Sequence, residues 1–283
     1  MRTLVTGSNG QLGKTIQSIL KNKSKFIFTD INSLDITKKE KIESVIISHN
    51  INCIINCAAY TDVDGAEIEK EKAYELNDNA IKNLVQICET YKLRLIHIST
   101  DYVYNGINKS AISEYEHISP QNYYGFTKLN GEKHIENSIS ESIVIRTSWL
   151  YSSFGKNFVK TIIEKSKEKD LLKIVGDQYG CPTNAYDLAN AIIQIIKSKD
   201  RIDKESKIYN FSNLGYTSWF EFAKVILKEI NIKCDLEEIK TNEVSQLSKR
   251  PKYAVTDKTK VISTFNLKIP SWEESLMKFL KKI

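Results

Sequence analysis

The sequence of 283 residues predicts an α/β protein built on a doubly wound parallel sheet, with a smaller C-terminal lobe. Two observations carry this. Short, continuously apolar segments alternate with amphipathic helical ones through residues 1–150, the pattern of a parallel sheet covered on both faces. The first apolar segment also runs straight into a glycine-spaced turn that opens a helix. An apolar content of 41% is enough for a full core.

Strands are expected at 3–6 (TLVT), 25–30 (KFIFTD), 53–56 (CIIN), 94–99 (RLIHIS) and 142–147 (SIVIRT). Helical patterns lie between them at 11–22, 38–50, 67–92 and 124–139. Right-handed crossovers between such strands make a doubly wound sheet. After about residue 150 the pattern loosens, with helices expected at 156–168, 185–198, 218–230 and 271–282 and short strands near 172–174 and 208–211.

Lysine and arginine number 41 against 35 acidic residues, a net charge of +6. The lysines are scattered and interleaved with glutamates, as in EIEKEKAYE and KEKDLLK, so they read as solvated helix faces and no nucleic-acid partner is expected. The opening MRTLVTG leads directly into a strand and turn, unlike a signal peptide. No apolar run approaches the ~20 residues of a membrane span, so a cytoplasmic protein is expected. Five cysteines, Cys53, Cys57, Cys88, Cys181 and Cys234, form no C-x-x-C pair. Neither a disulfide framework nor zinc is expected, and no carboxylate cluster marks a metal site.

The turn T-G-S-N-G-Q-L-G spans residues 6–13. Gly7 permits a tight turn, Gly10 lets a pyrophosphate approach the backbone, and Gly13 lets helix and strand pack closely; this is a Rossmann-like phosphate turn. The phosphates then lie at a helix N-terminus, with Gln11 and Leu12 inside the turn. Asp30, at the end of the second strand, is placed to accept both adenosine ribose hydroxyls and to repel a 2′-phosphate, which favours NADH on charge. In SLDIT, a side chain from Asp35 or Ile36 meets the adenine, or Asp35 caps the following helix. Residues 1–150 are accordingly read as the dinucleotide-binding unit, and 151–283 as late sheet elements interleaved with a substrate-binding lobe.

The glycine spacing is G-x-x-G-x-x-G, and a single Tyr-x-x-x-Lys, Tyr124–Lys128, occurs among 14 tyrosines. Further blocks are N-C-A-A-Y-T-D-V-D-G-A-E (56–67), S-T-D-Y-V-Y-N-G (99–106), R-T-S-W-L-Y (146–151) and G-K-N-F (155–158), with Arg250-Pro251 and Pro270-Ser271-Trp272 near the end. On these the chain resembles the extended short-chain dehydrogenase/reductase family over nearly its whole length, specifically in the S-T-D-Y-V and R-T-S-W blocks. Within that family the blocks resemble the branch that reduces the 4-keto group of dTDP-4-dehydro-6-deoxy-L-mannose to dTDP-L-rhamnose. The resemblance implies that reaction, with NADPH or NADH as cofactor and a nucleotide sugar as substrate. Magnesium and a homodimer come with it as family properties only. Thr100 is followed by Asp101-Tyr102 rather than Asp-Glu, which argues against the dehydratases of the same group. A reductase of another nucleotide-linked 4-keto-deoxysugar and a non-catalytic regulatory subunit stay open as alternatives.

Residues four apart share a helix face, so Tyr124 and Lys128 point together into the cleft while Tyr123 looks elsewhere. Tyr124 is read as the proton donor. An ammonium ~5 Å from the phenol, at an effective dielectric of ~20, contributes about 3 kcal/mol, and Lys128 is expected to lower Tyr124 accordingly. Thr100 ends the fourth strand, where its hydroxyl meets the substrate carbonyl oxygen. The resemblance adds Lys128 on the nicotinamide ribose, Thr100 and Asp101 on the substrate, and Trp149 in the sugar–nucleotide pocket. It also places Ala59, Tyr60 and Thr61 beside the cofactor. Tyr60 stands where the family often has histidine, and Tyr104 where it often has phenylalanine.

Overall fold

The computed structural model describes residues 1–107, 109–198 and 207–283. β1 (Thr3–Thr6), β2 (Phe26–Phe28), β3 (Cys53–Asn56), β4 (Arg94–Thr100), β5 (Ser142–Thr147) and the strand Ile208–Asn210 form one six-stranded sheet. Its order is Ile208–Asn210, β5, β4, β3, β1, β2, and every pairing is parallel. The chain leaves β1 for β2 on one side, then crosses to β3 on the other. The strand order therefore reverses beside β1, where such sheets bind ligands beyond their carboxyl ends.

Apolar side chains cover both faces. On one, α1 (Gln11–Ile19) and the helices Ala185–Lys197 and Thr259–Phe265 bury Leu12, Ile16, Leu188, Ile192 and Phe265 against Val5, Ile55 and Ile145. On the other, α2 (Lys39–His49) and the helix Ala80–Tyr91 pack Ile42, Ile46, Leu84 and Ile87 against Leu4, Ile54 and Leu95. The strand expected at 208–211 joins this sheet although it lies far along the chain. A third core, with Tyr151, Ile162, Phe222, Trp272 and Phe279, belongs to the C-terminal lobe.

Besides the helix Thr259–Phe265, which the sequence pattern does not show, the structure departs from the expected elements in three places that matter here. The helix expected at 67–92 is broken into Gly65–Ile68, Lys70–Tyr74, a π-helical turn at Glu75–Asn79, and Ala80–Tyr91. The wider turn brings Asn77 and Asp78 inward, both buried. No proline or glycine marks that break, so the sequence carries no signal for it. The helix expected at 124–139 runs Tyr123–Glu136. Asn122 opens it by accepting from the Gly125 N–H at 2.8 Å, and the Lys207 ammonium donates to the Ile135 carbonyl at 2.9 Å near its end. Asp235–Ile239 forms a strand parallel to Leu171–Val175; its D-L-E-E-I pattern looks like a charged helix because one face of this small sheet is solvated.

A buried ion pair ties these layers together. Arg146 on β5 and Glu132 on the Tyr123–Glu136 helix meet at 2.6 Å, both side chains fully buried. Arg146 also donates to the Tyr104 hydroxyl at 2.9 Å, which donates to Asn210 Oδ1 at 2.9 Å. Replacing Arg146 by Met leaves the Glu132 carboxylate buried and unpaired, so Arg146→Met is expected to lower unfolding free energy by about 3–5 kcal/mol in urea denaturation. Arg146→Met with Glu132→Leu is expected to recover most of the loss.

Candidate active site

The turn after β1 is closed tightly. Gly7 has φ 61°, and a Cβ there would lie 2.6 Å from the Ala58 nitrogen. A Cβ on Gly13 would lie 2.5 Å from the Gly7 carbonyl oxygen. Only glycine fits either place. Gly10 precedes α1, so the first N–H groups of that helix, from Gln11 onward, face outward beyond the strand end. These residues fit a dinucleotide diphosphate. Gln11 also accepts from Ser152 Oγ at 3.1 Å and Asn157 Nδ2 at 3.0 Å, joining the turn to the loop after β5. The side chain of Leu12 is in the core.

Asp30 lies just beyond β2 and accepts from the Asn9 side-chain amide and from the Asn32 N–H. It therefore faces the same rim as the glycine turn. Asp35 accepts from both the N–H and the hydroxyl of Thr37, at 2.9 and 2.8 Å. It shapes the loop before α2 rather than capping the helix itself. Ile36 is 2% exposed and its side chain packs in the core, so it is not available to stack on an adenine.

Past β3, Ala59, Tyr60 and Thr61 run along the same rim. Asn77 clamps Tyr60 through its backbone, accepting from the N–H at 2.9 Å and donating to the carbonyl at 3.0 Å. The Tyr60 side chain turns away and its hydroxyl donates to Glu69 at 2.8 Å, a bond that pushes the phenol up to about 12. Asn77 was not among the residues singled out from the sequence. Its signal was a lone buried amide in a helical run, which periodicity alone does not separate from a surface asparagine.

Tyr124 and Lys128 share the inner face of their helix, both buried. Tyr123 looks outward, its N–H donating to Glu67 and its ring against Phe126 and the Lys70 ammonium. A Cβ on Gly125 would collide with the Tyr102 carbonyl oxygen, so glycine there lets the helix sit directly on the loop that follows β4. Thr100 ends β4, donates to Asp101 Oδ1 at 3.2 Å and accepts from the Tyr102 N–H at 3.2 Å. The Tyr102 ring meets Tyr124 edge-on, centroids 5.7 Å apart.

Burial governs the charges here. It pushes the Tyr124 phenol well above its ordinary value, against a hydrogen bond with Thr100. This corrects the expectation that Lys128 lowers Tyr124. The Lys128 ammonium is instead drawn to the Ile98 carbonyl at 2.7 Å and to His97 Nε2 at 3.2 Å. Burial pulls Lys128 down to about 8, with Glu132 and Cys57 opposing, and pushes Asp101 up to about 7. Asp101 Oδ2 and Ser99 Oγ are buried without a hydrogen-bond partner among the described residues.

Trp149 follows β5 with a left-handed backbone, φ 44°. Its ring stacks on Trp219 at 3.4 Å and lies against Gly180. It belongs to the C-terminal lobe, packed on the lobe's core. The segment 248–254 bridges lobe and sheet. Arg250 donates to Asp64 at 2.9 Å and to the Tyr102 hydroxyl at 3.2 Å, and Ser248 also binds Asp64. Tyr253–Ala254 pairs with Tyr179–Gly180. Among the described residues, no group of three or more His, Cys, Asp or Glu side chains is placed to hold a metal ion. Among the described residues, no donor set within one chain fits the magnesium implied by resemblance.

A glycine-turn Rossmann-like sheet, with threonine, tyrosine and lysine converging at its carboxyl edge, defines a dinucleotide-dependent reductase of the extended short-chain dehydrogenase/reductase class. The family model described as "RmlD substrate binding domain" matches residues 1–283, and the chain belongs to that family. It is similar to the dTDP-4-dehydrorhamnose reductase of Aggregatibacter actinomycetemcomitans, 35% identical over 97% of each chain. It is also similar to the crystal structure of dTDP-4-dehydrorhamnose reductase from Bacillus anthracis in complex with NADP, 36% identical with a TM-score of 0.94, covering 100% of this chain and 99% of that one. A Clostridium acetobutylicum dTDP-4-dehydrorhamnose reductase is 36% identical with a TM-score of 0.93, again covering 100% and 99%.

The tight contact between Gly13 and Gly7 gives a direct test. Gly13→Ala must open the turn, and is expected to weaken NADP binding roughly tenfold or more in calorimetric titration, about 1.4 kcal/mol, and to lower the unfolding midpoint as well, because the added Cβ meets backbone atoms.

Proposed function

We propose that this chain reduces the 4-keto group of dTDP-4-dehydro-6-deoxy-L-mannose with NADPH or NADH, giving dTDP-L-rhamnose. The observation that carries it is the convergence of Tyr124, Thr100 and Lys128 beyond the glycine turn, in a chain matched end to end by the family of these reductases. Residues 1–150 hold the dinucleotide and 151–283 supply the interleaved sugar–nucleotide lobe in this reading. A cytoplasmic location accompanies it from the reading of the sequence, and a homodimer by family resemblance; among the described residues no helix is long and apolar enough to cross a membrane.

Gly7 and Gly10 to Gly13 hold the diphosphate, Asp30 and Asn9 face the adenosine ribose, and the backbone of Ala59 to Thr61 lines the same path. Lys128 binds the nicotinamide ribose. The hydride reaching the carbonyl carbon comes from the reduced nicotinamide when the dinucleotide is bound. Thr100 and Tyr124 bind the carbonyl oxygen, and the Tyr124 phenol gives its proton to the alkoxide as charge develops there. Asp101, with one oxygen unpartnered, takes a sugar hydroxyl, and Trp149 packs on the nucleotide-sugar side of the cleft.

Tyr124→Phe keeps the ring and removes the proton. In a coupled assay that generates the keto-sugar in situ, it is expected to lower kcat by about 10²–10⁴-fold with little change in dinucleotide affinity. Parallel NADH and NADPH traces measure what Asp30 does to cofactor choice. Turnover by the wild type with neither cofactor, or only with a different 4-keto sugar nucleotide, would reject the proposed substrate.

The pH dependence has a fixed sign. Reduction uses the protonated phenol, which burial preserves, and the Lys128 ammonium, which is lost as pH rises through about 8. The rate constant kcat/KM for reduction is therefore expected to fall on the alkaline side of about 8. A profile rising through that range contradicts the role given to Lys128.

A further inference from the structure

His97 is the one ionisable side chain inside the run L-I-H-I-S-T, in the middle of β4, and it is fully buried at 0% exposure. Both ring nitrogens have partners. Nε2 lies 3.2 Å from the Lys128 ammonium nitrogen, and Nδ1 lies 3.0 Å from the side-chain amide of Asn56 on β3. Asn56, also fully buried, shares a hydrogen bond of 2.5 Å with the Thr6 hydroxyl on β1. A polar chain thus runs through the centre of the sheet, from Thr6 through Asn56 and His97 to Lys128.

Proton counting restricts this chain. Burial, then the nearby Lys128 charge, hold His97 well below the ordinary imidazole value, so the ring is neutral. A neutral imidazole has one N–H donor and one acceptor nitrogen. While Lys128 is an ammonium it has only donors, so Nε2 must accept and the ring proton must sit on Nδ1. Asn56 then has to turn its carbonyl oxygen to His97 and its amide N–H to Thr6. Once Lys128 is a neutral amine its lone pair accepts from Nε2–H, Nδ1 accepts from the Asn56 amide N–H, and the Asn56 oxygen accepts from the Thr6 hydroxyl. The amide oxygen and nitrogen of Asn56 exchange places between the two states, and its distances of 2.5 Å to the Thr6 hydroxyl and 3.0 Å to His97 Nδ1 fit either direction. The balance is simple: the ammonium proton count falls by one, the ring keeps one proton on the other nitrogen, and one proton leaves to water.

We propose that His97 is a positioning residue for Lys128: its Nε2 and the Ile98 carbonyl together hold the ammonium in place, and the Thr6–Asn56–His97 chain reverses its hydrogen-bond direction when Lys128 loses its proton. This rests on the reading of Lys128 as a site lysine. Other titratable groups stand around Lys128. Glu132, one helical turn on, is committed to Arg146, and Cys57 beyond β3 is kept a neutral thiol by burial, which pushes it up to about 12. Tyr124, one turn back, is kept protonated. Asp101 acts on Tyr124 rather than on this chain.

The test reads the ring itself. In protein labelled with ¹⁵N-histidine, one resonance among four histidines is assigned to His97 by its loss in His97→Gln. Its nitrogen shifts are expected to report the Nδ1–H tautomer at low pH and the Nε2–H tautomer at high pH, crossing near the Lys128 value of about 8. An imidazolium at about pH 6, or one tautomer unchanged to about pH 10, overturns the proposal. In steady-state assays, His97→Leu is expected to lower kcat/KM roughly tenfold, about 1.4 kcal/mol, with the KM for dinucleotide raised because Lys128 is the group on the nicotinamide ribose, and the alkaline limb displaced. His97→Gln, whose Oε1 accepts where Nε2 does, is expected to restore most of it. Equal loss in both, or no loss in Leu, counts against the proposal. Should His97→Leu fail to fold, the wild-type titration still decides. Should the enzyme turn over no keto-sugar, the tautomer still reads the chain, so the two readings fail separately.

Discussion

A guanidinium without access to solvent organises this molecule. Arg146 sits on β5 with the Glu132 carboxylate, the Tyr104 hydroxyl and the Tyr104 ring around it. Taking such a charge out of water costs several kcal/mol, and the cost is met only while every partner stays in place. Each partner belongs to a different element: Glu132 to the helix bearing Tyr124 and Lys128, Tyr104 to the segment that follows Thr100 and Asp101, and, through Tyr104, Asn210 to the last strand of the sheet. The requirement to satisfy one buried cation therefore sets helix, loop and sheet in a single relation. The relative placement of the site residues follows from it.

The same scarcity of water sets the charge states of the site. Burial raises acids and lowers bases, so Tyr124 and Asp101 move up while Lys128 and His97 move down. Lys128, which keeps its proton until pH rises through about 8, is engaged by the Ile98 carbonyl and His97 rather than by the phenol. The local contact with Thr100 is what opposes burial at Tyr124. Proton donation by a phenol that stays protonated is consistent with reduction, the direction in which the alkoxide must gain a proton.

The later part of the chain adds a strand and two helices to the sheet, and specific polar contacts join sheet and lobe. Gln11 reaches from the glycine turn to Ser152 and Asn157. The 248–254 segment is fastened at one end to Asp64 and Tyr102 and at the other to the lobe strand at Tyr179–Gly180. Burial works against the Asp64 carboxylate, but hydrogen bonds from Ser248 and the Arg250 guanidinium outweigh it and hold it below the usual carboxylate range. Asp64 lies in the V-D-G-A-E block and Arg250 in the Arg-Pro pair, so these two sequence blocks are in part the two halves of one joint.

Much of this was legible in the residues alone. Apolar strands alternating with amphipathic helices determined the parallel sheet, because a strand buried on both faces has no polar alternation to show. The glycine turn determined the phosphate end, because a Cβ on Gly7 would strike the Ala58 backbone and one on Gly13 the Gly7 carbonyl oxygen. The four-residue spacing of Tyr124 and Lys128 placed both on one helix face. The tertiary structure alone decided the π turn that aims Asn77 at Tyr60, the joining of Ile208–Asn210 to the sheet, and the pairing of Arg146 with Glu132. It also decided that Lys128 answers to His97 and Ile98 rather than chiefly to Tyr124. These depend on which distant residues share a space without water, and the energy of a charge or a buried amide is fixed by those neighbours rather than by its place along the chain.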